Sequence, residues 1–124
     1  MKPYRRFARR VTPSWTSAAF VIVALLASAD AFAQTREQCR DALERAEDQY
    51  DLGRYDEVIG ALRLCAEQVP EAARLRAYKL LALAYLKMQE RDRAEQAVTH
   101  LLQENPNFTP DPEQDSQEFV DLVN

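Results

Sequence analysis

Few residues in this 124-residue chain are of types that do chemistry on their own. His100 is the only histidine. A general base needs a nucleophile to activate or a carboxylate to orient it, and the nearest acid along the chain is Glu104. His100 therefore reads as a surface or rim residue that pairs with Glu104. Asp41, Glu44, Glu47, Asp48 and Asp51 crowd one segment. Two of them on one helix face could form a paired-carboxylate glycosidase site; nothing singles out such a pair, and a solvated acidic face is the plainer reading. Asp111, Glu113 and Asp115 have an alternation that hints at calcium, but the glycine of a ligand loop is missing and prolines intervene. With only two Gly, the chain has no phosphate-binding loop, and one His with two Cys cannot fill a structural zinc site without carboxylates. The expectation is a non-enzyme with no metal site and no cofactor.

Charge is divided unevenly. Five of the 16 basic side chains and one of the 20 acidic ones fall in 1–33, so 34–124 carries 11 against 19, a net of −8. Such a balance disfavours nucleic acid and anionic lipid as partners. Residues 1–33 have three parts: a basic start (Lys2, Arg5, Arg6, Arg9, Arg10), the apolar run Ala18–Ala27, and a small-residue end, Ala31-Phe32-Ala33. These are the parts of a secretory signal peptide, with cleavage expected after Ala33 and a weaker alternative cut at Ala27-Ser28-Ala29. Ten apolar residues are short for a ~30 Å hydrocarbon layer; the competing reading is an uncleaved signal anchor. The residues before Cys39 do not suit lipidation, and the arginine pairs fit twin-arginine export poorly. The style of the signal looks bacterial, which places the mature chain in the periplasm or outside the cell.

Export makes Cys39 and Cys65, the only cysteines, a candidate disulfide. Two buried free thiols are the alternative. A bridge would close a loop worth about 3.5 kcal/mol in the chain-entropy model.

The elements that must position these residues are all helical. Gly53-Arg54-Tyr55-Asp56-Glu57-Val58-Ile59 aligns with Gln89-Glu90-Arg91-Asp92-Arg93-Ala94-Glu95 at an offset of 36, which also superposes Pro70 on Pro106, Leu62 on Val98 and Ala46 on Ala82. A period in the mid-thirties marks stacked helical hairpins. Apolar spacing predicts a helix over Arg36–Leu52, opened by a capping box of Thr35 and Gln38 and stopped by Gly53. A second is expected over Asp56–Val69, a third over Pro70–Met88 and a fourth over Asp92–Asn105. The third is apolar nearly all round, so it should be the central helix. The segment 107–124 should contain an extended Pro-containing linker and a short helix, Ser116–Val123. Asp115 and Glu118 should open that helix, and it should dock on the outer face of the fourth helix as a cap.

Tyr78, Leu81, Ala82 and Tyr85, followed by Ala94, Val98, Leu101 and Pro106, resemble the tetratricopeptide repeat (TPR) family. Gly53, Tyr55, Val58, Leu62, Cys65 and Pro70 repeat the pattern more weakly, because Ala42, Arg45 and Gln49 stand where large residues are usual. The resemblance covers about Cys39–Pro106. It implies an all-α fold of antiparallel helical hairpins stacked as a short TPR-like solenoid, with two repeats over 34–106 and the C-terminal capping helix. It also implies a peptide-binding groove lined by the first helix of each repeat. Here that groove is Arg40, Glu44, Glu47, Tyr50 and Asp51, then Arg76, Lys79, Leu80, Leu83 and Lys87. The family's chaperone-binding members clamp a carboxylate with Lys and Asn. Glu47 and Leu80 occupy the two Asn positions here, so that activity does not carry over. Arg76, Lys79 and Lys87 could still attract an acidic segment. The expected function is an exported, non-catalytic protein-interaction module with a protein or peptide partner. A structural accessory subunit or homodimer of a cell-envelope complex is the alternative.

Overall fold

The computed structural model describes residues 35–124; the segment read as an export signal lies outside the described residues. The described part is all-α. Residues 35–51 form α1, and Tyr55–Leu62 (α2), Glu71–Lys87 (α3), Arg91–Glu104 (α4) and Gln117–Val123 (α5) follow. Neighbours pack in adjacent pairs: α2 against α3, α3 against α4, and α5 against both α3 and α4. Among the described residues no helix is long and apolar enough to cross a membrane.

The offset of 36 is written into the backbone. Gly53 adopts φ +75° and Gln89 φ +59°. In the first turn the Gly53 N–H donates to the Tyr50 carbonyl (3.0 Å) and the Arg54 N–H to that of Gln49 (2.9 Å). In the second, Gln89 N–H donates to Leu86 (3.0 Å) and Glu90 N–H to Tyr85 (2.9 Å). Each is a Schellman ending with a left-handed residue after the helix. The next residues, Arg54 and Glu90, share a conformation too, at φ/ψ of −91°/62° and −98°/67°. Gln89 occupies a conformation that glycine enters freely, at a cost of about 1 kcal/mol for a residue with a Cβ. Burial repeats as well: Ala46 and Ala82 are fully buried, as are Val58 and Ala94. The three alanines among them are small enough to let the backbones approach closely.

α3 is the centre. Ala77, Tyr78, Leu81, Ala82, Ala84 and Tyr85 are buried, and Leu80, Leu83 and Leu86 are half-buried against the same cluster. Cys39, Leu43 and Ala46 of α1, Val58 and Leu62 of α2, Ala66 and Val69 after it, Ala94, Ala97, Val98 and Leu101 of α4, and Phe119 of α5 join it in the core. α3 and α4 run antiparallel in a regular register. Arg93 lies over the Tyr85 ring, His100 stacks on Tyr78 seven residues further along each helix, and Arg74 pairs with Glu104 another four on.

Four local expectations need correction. Thr35 is itself already helical, so α1 starts earlier than Arg36. Pro70 is the N-cap of α3, with the helix proper starting at Glu71. α2 ends at Leu62, seven residues before Val69. From there the chain continues in successive turns in which the Leu62 carbonyl accepts from both Cys65 and Ala66, and the Cys65 carbonyl from both Gln68 and Val69. Shared bonds of this kind loosen a helix without reversing its course. This stretch has to reach Cys39 through Cys65 while burying Ala66 and Val69. Finally, α5 is capped by Ser116, whose Oγ accepts from the Phe119 N–H (3.4 Å), and Asp115 is engaged elsewhere.

Cys39 and Cys65 are joined, with Cα atoms 5.1 Å apart across 26 positions of sequence. The bond ties α1 to the turns after α2. Its removal in a Cys39→Ala, Cys65→Ala double variant should lower unfolding free energy by about 3 kcal/mol, read from the denaturant midpoint. Thiol titration of the denatured wild type should find no free thiol until reductant is added; free thiols at the outset would refute the bond.

Candidate functional site

The surface formed by α1 and α3 is built from residues spaced so that they leave the core. On α3, Arg76, Lys79, Leu83 and Lys87 lie about half a turn of the helix away from Tyr78, Leu81 and Tyr85. On α1, Arg40, Glu44, Glu47 and Tyr50 alternate with the buried Cys39, Leu43 and Ala46.

The charges expected to line two opposed walls meet each other. The Arg76 guanidinium grips Glu47 through both carboxylate oxygens, from Nη2 at 2.6 and 2.7 Å and from Nε at 3.0 Å. This two-pronged geometry is the strong form of an Arg–carboxylate contact, and it fastens α1 to α3. Lys79 Nζ lies 2.7 Å from Asp115 Oδ1 and 5.8 Å from the centre of the Phe119 ring. The Asp115 side chain is nearly buried, 4% exposed. Its other oxygen accepts from the Asp111 N–H (2.8 Å). Asp111 in turn accepts from the Glu113 N–H (2.9 Å). The three acids thus hold a turn together, and among the described residues no cluster of His, Cys, Asp and Glu is placed to hold a metal.

Tyr50 is half-buried and meets Tyr55 edge-on, with ring centres 5.2 Å apart. Burial raises its pKa above the usual tyrosine value, and the nearby Tyr55, Asp115 and Asp51 push the same way. The segment leading into α5 therefore lies beside residues of both α1 and α3. Arg40 is exposed, and its ion partners among the described residues are Glu37 and Asp41 of its own helix (3.9 and 4.0 Å). Glu44 and Lys87 are exposed, and Leu83 is half-buried against the core. The structure thus brings Glu47 to Arg76, and Lys79 to a partner absent from the expected set.

His100 is exposed, as its rim assignment requires, but Glu104 pairs with Arg74 (3.4 Å) and not with it. The imidazole lies flat on Tyr78, ring centres 5.2 Å apart and 15° from parallel. It helps line an open cleft of about 350 Å³ between α4 and the turns after α2, with Ala66, Tyr78, Leu81 and Tyr85 beneath. Burial raises the Tyr78 pKa above the usual value, helped by Glu67 and Glu104 and opposed by Arg74. Nothing in the spacing of Arg63, Glu67, Tyr78, Arg93 and His100 announced this cleft, because they come from three segments.

Compared with known proteins, the chain matches no family model, and no curated protein or solved structure is significantly similar to it.

Two measurements test these environments. Asp115→Ala should lower stability by about 2 kcal/mol, since it strips Lys79 of its partner and frees the Asp111 N–H; an unchanged denaturant midpoint would mean a fully solvated carboxylate. For Tyr78 the folded pKa lies above the unfolded one. Its contribution is therefore intact below pH 10 and is lost as pH rises through the folded value, because the unfolded chain ionises first. Spectrophotometric titration should place part of the native tyrosine ionisation above that of the denatured chain, and Tyr78→Phe should remove part of the difference.

Proposed function

We infer that this protein is an exported, non-catalytic interaction module of the tetratricopeptide type, which engages a protein or peptide through the α1 and α3 surface. The observation that carries the reading is the duplicated turn. Two helical hairpins separated by 36 residues end their first helices with a left-handed residue at the equivalent position, Gly53 and Gln89, and the same pair of hydrogen bonds, and Ala46 and Ala82 are buried at equivalent positions. Repetition of that kind serves stacking, and stacked hairpins present an extended face made of successive first helices. α5 packs on both α3 and α4, which supports its reading as a cap on the open end of the stack. The Cys39–Cys65 bond suits an oxidising compartment, which agrees with a signal peptide over 1–33 cut after Ala33 and a periplasmic or secreted product.

A specific observation favours the second reading, an accessory subunit or homodimer. Leu52 and Met88 occupy equivalent positions at the ends of α1 and α3, and both are exposed (67% and 43%). Together they leave an apolar residue at the same place in each repeat.

The two readings part on where a partner touches. A photoreactive amino acid in place of Lys87, on the α1 and α3 surface, should cross-link to one discrete protein in cells that export the chain. The same group in place of Glu57, exposed on α2, should not. Equal yields at both positions, or adducts containing only a second copy of this chain, would refute the first reading.

A further inference from the structure

The cleft on the other side of α3 has a charge pattern of its own. Its floor is Tyr78 and Tyr85, each only 5% exposed. Neither hydroxyl has a hydrogen-bond partner among the described residues. The two tyrosines are seven residues apart, which is about 10.5 Å along a helix. The Tyr85 end is cationic: Arg93 lies over the Tyr85 ring, 6.0 Å from its centre, and Arg63 lines the same cleft. The Tyr78 end is anionic, with Glu67 close enough to push the Tyr78 ionisation upward. Beyond Tyr78 the cleft continues past His100 and Gln103 to Arg74 and Glu104, which neutralise each other at 3.4 Å.

The two charges on the outer wall are unspent. Neither Arg63 nor Glu67 has an ion partner among the described residues, and both are exposed. Arg93 is partly engaged by Glu90 (3.0 Å). These charges stand above a largely buried floor of Tyr78 and Tyr85.

The geometry points to a second peptide-binding site here: an extended segment lying along α3, with an acidic side chain between Arg63 and Arg93 and a basic side chain beside Glu67. A segment in the extended polyproline II conformation advances about 3.1 Å per residue and returns to the same face every third residue, so the span from Tyr85 to Tyr78 places the two charged residues three positions apart and on one side of the segment. The open tyrosine hydroxyls are available to the peptide backbone between them. A segment with two acids would place one carboxylate against Glu67, and a segment with two bases would place one ammonium against Arg63 and Arg93. This site lies about half a turn round α3 from Lys79 and Leu83 and does not depend on what the α1 and α3 surface binds.

The test uses the isotope-labelled full chain and blocked tetrapeptides followed by NMR. Acetyl-Asp-Val-Thr-Lys-amide should give saturable shifts at the amides of Arg63, Gln96 and His100. Replacing its Asp by Asn should weaken binding by up to about fivefold, the upper range for one exposed ion pair. Arg63→Gln in the protein should weaken the Asp peptide by a similar factor and leave the Asn peptide unchanged. Glu67→Gln should do the same for the Lys end. Arg63 and Glu67 lie outside the core, so the amide spectrum away from the cleft should stay as in wild type and confirm folding. Absence of saturable shifts at these amides with millimolar peptide, or shifts that Arg63→Gln leaves unaltered, would overturn the proposal.

Discussion

α3 must be covered on more than one side, and the rest of the molecule is arranged to do so. Its 17 residues include six that are buried and four leucines, Leu75, Leu80, Leu83 and Leu86, that are half-buried. A helix with so little solvent-facing surface cannot persist alone, because most helical stability in a protein comes from packing. α2 and α4 cover it on the side of Tyr78 and Tyr85. α1 is fastened to it by Glu47 and Arg76, and α5 closes the remaining approach with Phe119, which is fully buried. The disulfide acts at the edge of this arrangement, holding α1 against the segment that follows α2.

The two hairpins solve one steric problem twice. Each first helix must stop sharply and reverse so that the next can pack back. A left-handed residue after the last turn does this while satisfying two otherwise orphaned carbonyls. Glycine is the natural occupant at 53. At 89 a glutamine takes the same conformation, with Leu86 and Tyr85 accepting the turn's hydrogen bonds from Gln89 and Glu90. Elsewhere the repetition is imperfect. Gln49 stands where the second hairpin has Tyr85, and its buried side-chain oxygen has no hydrogen-bond partner among the described residues.

Electrostatics explains why an acidic chain still has localised surfaces. Ion pairs between elements, Glu47–Arg76, Arg74–Glu104 and Lys79–Asp115, consume many of the cations on α3. What remains is sorted by side: Lys87 and Arg40 lie toward α1, while Arg63 and Glu67 stand on the opposite wall. Opposite faces of one central helix therefore offer different chemistry from the same short sequence.

Periodicity in the sequence determined the helices and their order, because burying an apolar stripe requires 3.6-residue spacing wherever the chain goes. It likewise determined that α3 is central and that 53 and 89 are turns, since glycine at one and the offset of 36 at both are local signals. The pairing of Cys39 with Cys65 was legible from there being no other candidate. The end of α2 was not legible, since Cys65, Ala66 and Val69 keep helical spacing even where the backbone departs from it. Only the tertiary structure decided which charges meet. Glu47 and Arg76 are 29 residues apart, and Lys79 and Asp115 further still. Spacing along one helix says which way a side chain leaves it, but not what stands opposite. The cleft beside His100 was undetermined for the same reason: it exists only where the registers of three separate segments come into alignment.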